Sequence, residues 1–483
     1  MNRRDLLKFG SIALAQARLP RLGPAMQSGK NPSAPADAVP ESKADYTLRI
    51  APTTVELDRS HILSTIGYNG VAPGPLLRMK EGKPVTVDVI NGTDTPEFVH
   101  WHGMLIRADV DGTEEEGSPP VPPHGQRRFE LTPGPAGSRW YHSHAMAMDD
   151  LHKGAYTGQF GFVYVEGGGK DLRQYDQEVF LALRDWEPFF TGTMDDEDDD
   201  THDGPLLEKP PSLNTDPDGL EVASVAYSIN DKALGAGEPI RVREGQRLLI
   251  HFLNASAIEN RRIALSGHKM EVIALDGNPV PTPQMLDSIF VGAGERIDVA
   301  VEMKNPGVWI LGSTEKMIRE AGLGVVVEYA GQHRQPQWID PPKVPWDYTI
   351  FGTASSNSPA PQQTIEIVFE KIPGGAGKFN LWLVNGKPYP HEREFVLQQG
   401  TRYRLVMRNR TDDAHPMHLH RHLWELIEIN GKKTAGIIKD TVVVPYYGRA
   451  IVDFTADQPG LSLFHCHIQQ HMDYGFKALF RYA

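Results

Sequence analysis

One frame occurs three times along this chain, and it accommodates short strands and tight turns but no long helices. The first copy reads Tyr68-Asn69-Gly70, then Glu81-Gly82-Lys83-Pro84-Val85-Thr86-Val87, then Asn91-Gly92-Thr93. The second reads Ile229-Asn230-Asp231, Glu244-Gly245-Gln246-Arg247-Leu248-Leu249-Ile250, Asn254-Ala255-Ser256, and the third Val384-Asn385-Gly386, Gln399-Gly400-Thr401-Arg402-Tyr403-Arg404-Leu405, Asn409-Arg410-Thr411. In each copy the glycine and the later asparagine stand nine residues apart. Between these landmarks apolar residues alternate with polar ones, as in Val85-Thr86-Val87-Asp88-Val89, which is the period of a half-buried strand. The frame predicts an all-β chain of three consecutive β-sandwich domains. Asn91, Asn254 and Asn409 open Asn-x-Ser/Thr triplets, but their constant place in the frame favours a turn role over glycan attachment.

Histidines fall into the frame unevenly. Four pairs share the His-x-His spacing: His100/His102, His142/His144, His418/His420 and His465/His467, with Cys466 inside the last, His415 three residues before His418, and His471 after the cysteine. These clusters take ten of the nineteen histidines. On a strand, residues two apart point to the same face at roughly 7 Å spacing, so each pair aims two imidazoles one way while Cys466 faces the other. Imidazole is the commonest metal ligand near neutral pH; a soft thiolate with imidazoles suits copper or zinc, and a thiolate with two histidines and only a weak axial group is the electron-transfer copper arrangement. An isolated buried cysteine behaves as a small hydrophobe; its company here argues otherwise.

The frame also predicts where metal lies. Counting nine and eleven residues from Asn91 or Asn409 reaches His100/His102 or His418/His420, whereas the same count from Asn254 reaches Ile263 and Leu265. Five and seven residues after Gly137 and Gly460 stand His142/His144 and His465/His467, but Gly307 leads to Gly312 and Thr314. The ligands therefore belong to the third domain and to the junction of the first with the third, leaving the second as a spacer that shapes access.

Through these motifs the chain resembles a three-domain multicopper oxidase of the bacterial laccase-like type, over nearly everything from about residue 45 onward. The resemblance implies three cupredoxin-like Greek-key domains at 44–168, 169–335 and 336–483, the second without copper ligands, after a segment 1–43. It implies four copper ions: a type 1 ion on His415, Cys466 and His471, a type 2 ion on His100 and His418, and a type 3 pair on His102, His142, His144, His420, His465 and His467. It further implies single-electron oxidation of phenols or aromatic amines at type 1, passage of electrons through Cys466 and its neighbours, and reduction of O2 to water. Two positions depart from the family. Phe476 stands where an axial methionine is usual, which favours a nearly trigonal, higher-potential site over ligation by Met417 or Met472. Gln469 and Met472 stand where an acid is usual, leaving Asp111 to orient ligands or relay protons, with Asp473 as a substitute.

The remaining features bear on context. A formal net charge of −13 argues against nucleic acid as a partner, and no run after the N-terminal segment is apolar enough to span a membrane. Arg3-Arg4 ahead of a small-residue stretch resembles a twin-arginine export signal, followed by a linker to about Lys43, so the expected location is periplasmic or secreted. A single cysteine permits no disulfide within the chain. The expected partners are a small reductant and O2, and the expected state a monomer. His268 and His422, each nine residues before a turn glycine, read as packing groups; His61, His124, His152, His202, His251, His333 and His391 read as surface or satisfied core groups. Met146 and Met148 read as core filling, and the run Asp195 to Asp200 as a solvated loop. Three rivals stand beside the phenol oxidase: a metallo-oxidase of Cu(I), Fe(II) or Mn(II), a copper nitrite reductase, which the four pairs disfavour, and a copper-free exported scaffold.

Overall fold

A computed structural model describes residues 43–168, 174–192, 219–356, 358–390 and 394–483. The export-like segment, the acidic run, His202 and His391 lie outside them. The described strands form six sheets, two to each copy of the frame. In every copy the opening strand runs parallel to the strand between the glycine and asparagine landmarks: Tyr46–Asp58 with Val85–Asn91, Gln177–Gly192 with Arg247–Asn254, and Gln363–Ile372 with Arg402–Asn409. A second parallel pair closes each opposing sheet: Leu77–Lys80 with Phe160–Glu166, Ile240–Val242 with Gly324–Tyr329, and Phe395–Leu397 with Lys477–Tyr482. Parallel partners cannot be joined by a tight hairpin, so the chain crosses between sheets, which yields three sandwiches of cupredoxin-like form. Among the described residues the α-helices are single turns: Ala108–Asp111, Lys316–Glu320 and Gln469–Asp473.

The landmark asparagines do the same local work three times. Asn69, Asn230 and Asn385 each adopt a positive φ. Each places its carboxamide oxygen on a backbone N–H of the opening strand: Arg49 at 2.6 Å, Ala182 at 2.9 Å and Val368 at 2.7 Å. Asparagine is among the few residues that take this backbone conformation while bonding locally. Asn91, Asn254 and Asn409 are buried and accept from the N–H two residues on, at 2.9, 3.1 and 2.9 Å. Their side-chain amides donate to Thr95, Glu259 and Asp413 carbonyls, so all three are turn pins.

Apolar strand faces make the core. One continuous cluster runs through the second and third sandwiches and holds Ile263 and Leu265, the positions where the other copies carry histidine. The first sandwich has its own core around Trp101, Phe129 and Tyr141. A further cluster at its seam with the second includes Trp140, Phe160, Trp186 and Leu253. This close packing fixes strand register, and register decides which rings face each other.

Candidate metal centre

Strand pairing brings the histidine motifs together. Val99–His102 pairs with Gly137–Ser143, setting His100 opposite His142; His415–Leu419 pairs with Leu461–Cys466, setting His418 opposite His465. The two sheets then meet face to face. His100 stacks on His420 at 3.9 Å between centroids, and His102 on His418 at 3.8 Å. His465 Nε2 lies 3.4 Å from His144 Nε2 and 3.0 Å from His420 Nε2. Eight imidazoles from sandwiches one and three thus surround one point.

In six of the rings the outward nitrogen's partner shows which nitrogen is left for a ligand. His142 and His465 donate Nδ1–H to carbonyls of the following residue at 2.9 and 2.8 Å, His100 to the Asp111 carbonyl at 3.1 Å, and His418 to the Asp440 carbonyl at 2.7 Å. His420 donates Nδ1–H to Asp111 Oδ2 at 2.8 Å. His102 is reversed: its Nε2 faces Asp440 Oδ1 at 3.1 Å and Thr441 Oγ1 at 3.2 Å. Among the described residues, the nitrogens without a partner include Nε2 of His100, His142 and His418, Nδ1 of His102 and His144, and both of His467. A buried polar atom left unpaired costs about 1–3 kcal/mol, so Nε2 of His100, His142 and His418 and Nδ1 of His102, each opposite a bonded nitrogen, together with the mutually facing Nε2 atoms of His144, His420 and His465, fit metal. Burial keeps the rings neutral, pushing His102, His142, His144, His420, His465 and His467 well below the ordinary histidine value and His418 down to about 4; neutral imidazole is the form that ligates.

A second group lies wholly in the third sandwich. Cys466 Sγ is 3.8 Å from His415 Nδ1 and 3.6 Å from His471 Nδ1, all three buried. Thr411 Oγ1, which donates to Asn409 Oδ1, accepts from His415 Nε2–H at 2.7 Å, so His415 also turns a bare Nδ1 to the sulfur. Burial pushes the thiol up, so metal uptake must displace its proton. Phe476 is buried with its ring 4.6 Å from that of His415 and offers no donor atom. Met417 lies opposite Cys466 in the strand pair and shares its face.

The acids partly rearrange the expectation. Asp111 is fully buried, with Oδ2 3.2 Å from His100 Nδ1 and 2.8 Å from His420 Nδ1. Asp473 touches no cluster ring: it accepts from Ala147 N, Met148 N and Gln469 Nε2. The acid that does stand beside Asp111 is Glu116, 3.4 Å from His420 Nδ1, and burial together with the Asp111 charge pushes its carboxyl well up. Asp440 is the other acid missed in the sequence, and a comparison of repeats had the means to find it. Asp440-Thr441-Val442-Val443-Val444 matches Asp287-Ser288-Ile289-Phe290-Val291, where the acid pairs with Lys269 at 3.2 Å instead.

Other assignments resolve similarly. His268 and His422 donate Nδ1–H to carbonyls two residues back and take Tyr329 and Tyr482 hydroxyls on Nε2, both at 2.7 Å, as packing groups in equivalent places. His251 is a buried core group with polar partners. Met146 and Met148 correct the expectation of core filling. They are 42% and 38% exposed, because the loop after His144 runs along the surface and Met146 Sδ turns to Lys477 Nζ.

Comparison with known proteins agrees with this geometry. Three multicopper oxidase family models match residues 49–169, 199–329 and 349–483. Multicopper oxidase MmcO of Mycobacterium tuberculosis is 30% identical over 452 residues, 90% of this chain and 86% of its own length. Laccase-1 of Botryotinia fuckeliana is 25% identical, with 91% and 82% covered. The crystal structure of a multi-copper oxidase from Pseudomonas thermotolerans superposes with a TM-score of 0.67 at 24% identity, covering 91% of this chain and all of the other. A Campylobacter jejuni multicopper oxidase described as a metallo-oxidase superposes at 0.66 and 20% identity, with 92% and 93% covered. The chain belongs to the multicopper oxidase family. It is an oxidase with copper cofactors that uses oxygen as its acceptor.

Proposed function

We propose that this oxidase binds four copper ions and oxidises phenols or aromatic amines, one electron at a time, while reducing O2 to water. One observation carries the reading: nine buried histidines and the thiol bring their donor atoms close together in two clusters, with buried His467 packed against the larger one, and these donors are of the kind copper takes. His415, Cys466 and His471 would hold a type 1 ion, His100 and His418 a type 2 ion, and His102, His142, His144, His420, His465 and His467 a type 3 pair. When bound, copper supplies single-electron acceptance at the thiolate and multi-electron reduction of O2 at the histidine cage.

The chain's own residues do the rest. Cys466 is bonded through the backbone to His465 and His467, so the thiolate is tied to the cage by one peptide unit on either side. Asp111 orients His100 and His420 and is the acid assigned to proton delivery. At the outer edge, His471 is buried under Trp382, its ring 3.9 Å from the indole, and its Nε2 lies 3.9 Å from Glu221 Oε2. Half-buried Phe379 and Tyr474 stack at 4.3 Å nearby. A carboxylate that accepts a phenol or anilinium proton beside an aromatic wall favours organic donors.

The same carboxylate favours a second reading, oxidation of Cu(I), Fe(II) or Mn(II). Oxygen uptake with phenols against these ions, on chain with measured copper content and absorption spectrum, separates the two. No uptake with any phenol or aromatic amine overturns the first. Export through the Arg3-Arg4 segment is part of the proposal and is tested by N-terminal sequencing of protein from the cell envelope fraction; a mature chain retaining Met1 in the cytoplasm would count against it.

A further inference from the structure

The second sandwich holds none of the proposed ligands, yet one of its turns presses on the cage. Gly294 has φ +82°, and a Cβ there would meet His467 Cδ2 at 2.6 Å. Among the described residues His467 has no hydrogen-bond partner on either nitrogen, and its ring packs against Gly294, His102, Trp140 and His142. Two residues on, fully buried Arg296 reaches Asp440 in the third sandwich. Its Nη1 donates to Asp440 Oδ1 at 2.8 Å and its Nη2 to Oδ2, a two-pronged pairing.

The guanidinium is itself fixed. Nη1 also donates to the Gly294 carbonyl at 2.9 Å and Nε to the Ser138 carbonyl of the first sandwich at 3.4 Å. Asp276 Oδ2, also from the second sandwich, accepts from the N–H groups of Asp440 and Thr441 at 3.2 and 3.1 Å and lies 2.9 Å from Lys439 Nζ. Gly103, directly after His102, leaves the room this requires: a Cβ there would lie 2.6 Å from Asp440 Oδ2 and 2.7 Å from Arg296 Nη2.

We propose that Arg296 is a positioning residue for the histidine cage, acting through Asp440 to make His102 present Nδ1, and not Nε2, to metal. The logic is one of donors and acceptors. Asp440 paired with Arg296 is held as a carboxylate, which can only accept, and Thr441 donates its hydroxyl to Asp440 at 3.0 Å, leaving an oxygen lone pair. His102 Nε2 faces both, so it must carry the hydrogen, and the inward Nδ1 is bare. Without Arg296, Asp440 keeps only Arg139, whose Nη1 lies 3.7 Å from Oδ2, and loses the two-pronged pairing that fixes its orientation, so His102 loses the contact that selects its tautomer. The domain without ligands therefore sets the geometry of the cage between the other two.

This inference rests on the copper assignment proposed above, and the experiment keeps the two apart. Copper-loaded full-length chain, Arg296→Met and Arg296→Lys are compared by copper content, by the visible thiolate–copper band, and by the near-ultraviolet and electron paramagnetic signals of the cage. An unmodified chain without copper refutes the assignment itself. If the unmodified chain loads, Arg296→Met is expected to keep the visible band while metal affinity at the cage falls about 10-fold or more. Arg296→Lys, which keeps the charge but not the fork, is expected to recover part of that loss. Arg296→Met with unchanged copper content and unchanged cage signals overturns the inference. Should that variant not fold, Thr441→Val removes one hydroxyl from the same His102 Nε2; an altered type 3 signal supports the inference, and an unchanged one counts against it.

Discussion

Replacing His251 by glutamine should remove a pH-dependent part of the chain's stability. His251 lies opposite Asp298 in the second sandwich's strand pair. Its Nδ1 is 2.8 Å from Asp298 Oδ1 and its Nε2 3.1 Å from Glu178 Oε1, while Ser138 Oγ of the first sandwich approaches Nδ1 at 2.9 Å and donates to Asp298. Phe180 stacks on the ring at 4.4 Å, Tyr164 packs at 5.1 Å, and Arg78 of the first sandwich pairs with Glu178. Burial alone would push this imidazole down, but the two carboxylates reverse the effect and lift it from 6.5 to about 9. That lift corresponds to about 3 kcal/mol favouring the folded, protonated form. Because the folded value lies above the unfolded one, the contribution is complete below about pH 6.5 and is lost as pH rises through about 9. Urea unfolding of parent and His251→Gln between about pH 6 and 10.5 measures it, since tyrosines and lysines titrate alike in both chains and cancel in the difference. The parent's advantage should shrink by about 3 kcal/mol across that range. An advantage that stays level to within about 1 kcal/mol would refute the reasoning.

Further predictions concern the metal centre. Cys466→Ser should abolish the intense visible band and turnover with organic reductants, while cage copper still loads; an absorption spectrum with metal analysis checks it, and a retained band would sink the assignment. Phe476→Met should place a thioether where a buried phenyl ring now packs on His415 and lower the reduction potential of the thiolate site; redox titration checks it, and an unchanged potential argues against the axial reading. Asp111→Asn keeps the side chain's size but removes the charge that faces both His100 and His420. Reoxidation of the reduced enzyme by O2 should slow by about 10-fold or more with copper content unchanged, and stopped-flow mixing at the parent's rate would refute it.

Much of the site was legible without coordinates because the repeat and the strand period are local. Asn91 and Asn409 lead to histidine pairs at identical counts, and a pair two apart on a strand has no choice but to share a face. The same counting put Ile263 and Leu265 where the other copies carry histidine, and both lie in the core; it also made His268 and His422 equivalent packing groups, as they are. It failed where side chains meet from distant strands. Asp473 was near Cys466 in sequence and is tied to the backbone at Ala147 and Met148, while Glu116, with no motif of its own, sits against His420. Met146 and Met148 follow a buried motif yet lie exposed, because sequence proximity does not say which way a loop leaves a strand.

The sequence by itself determined the fold class, the threefold frame, and the ten histidines and one cysteine that the structure gathers into two buried groups, because each follows from spacing within one strand or one repeat. Only the tertiary structure decided which ring nitrogens are bare, which acids stand behind the rings, and that from the second sandwich Gly294 abuts His467 and Arg296 pairs with Asp440 behind His102. Those are properties of contacts between sandwiches, where Asp440 and Arg296 lie 144 residues apart and His102 and Asp440 338 apart. Spacing along a chain fixes direction within a strand, but the partner a side chain finds depends on how whole sheets pack.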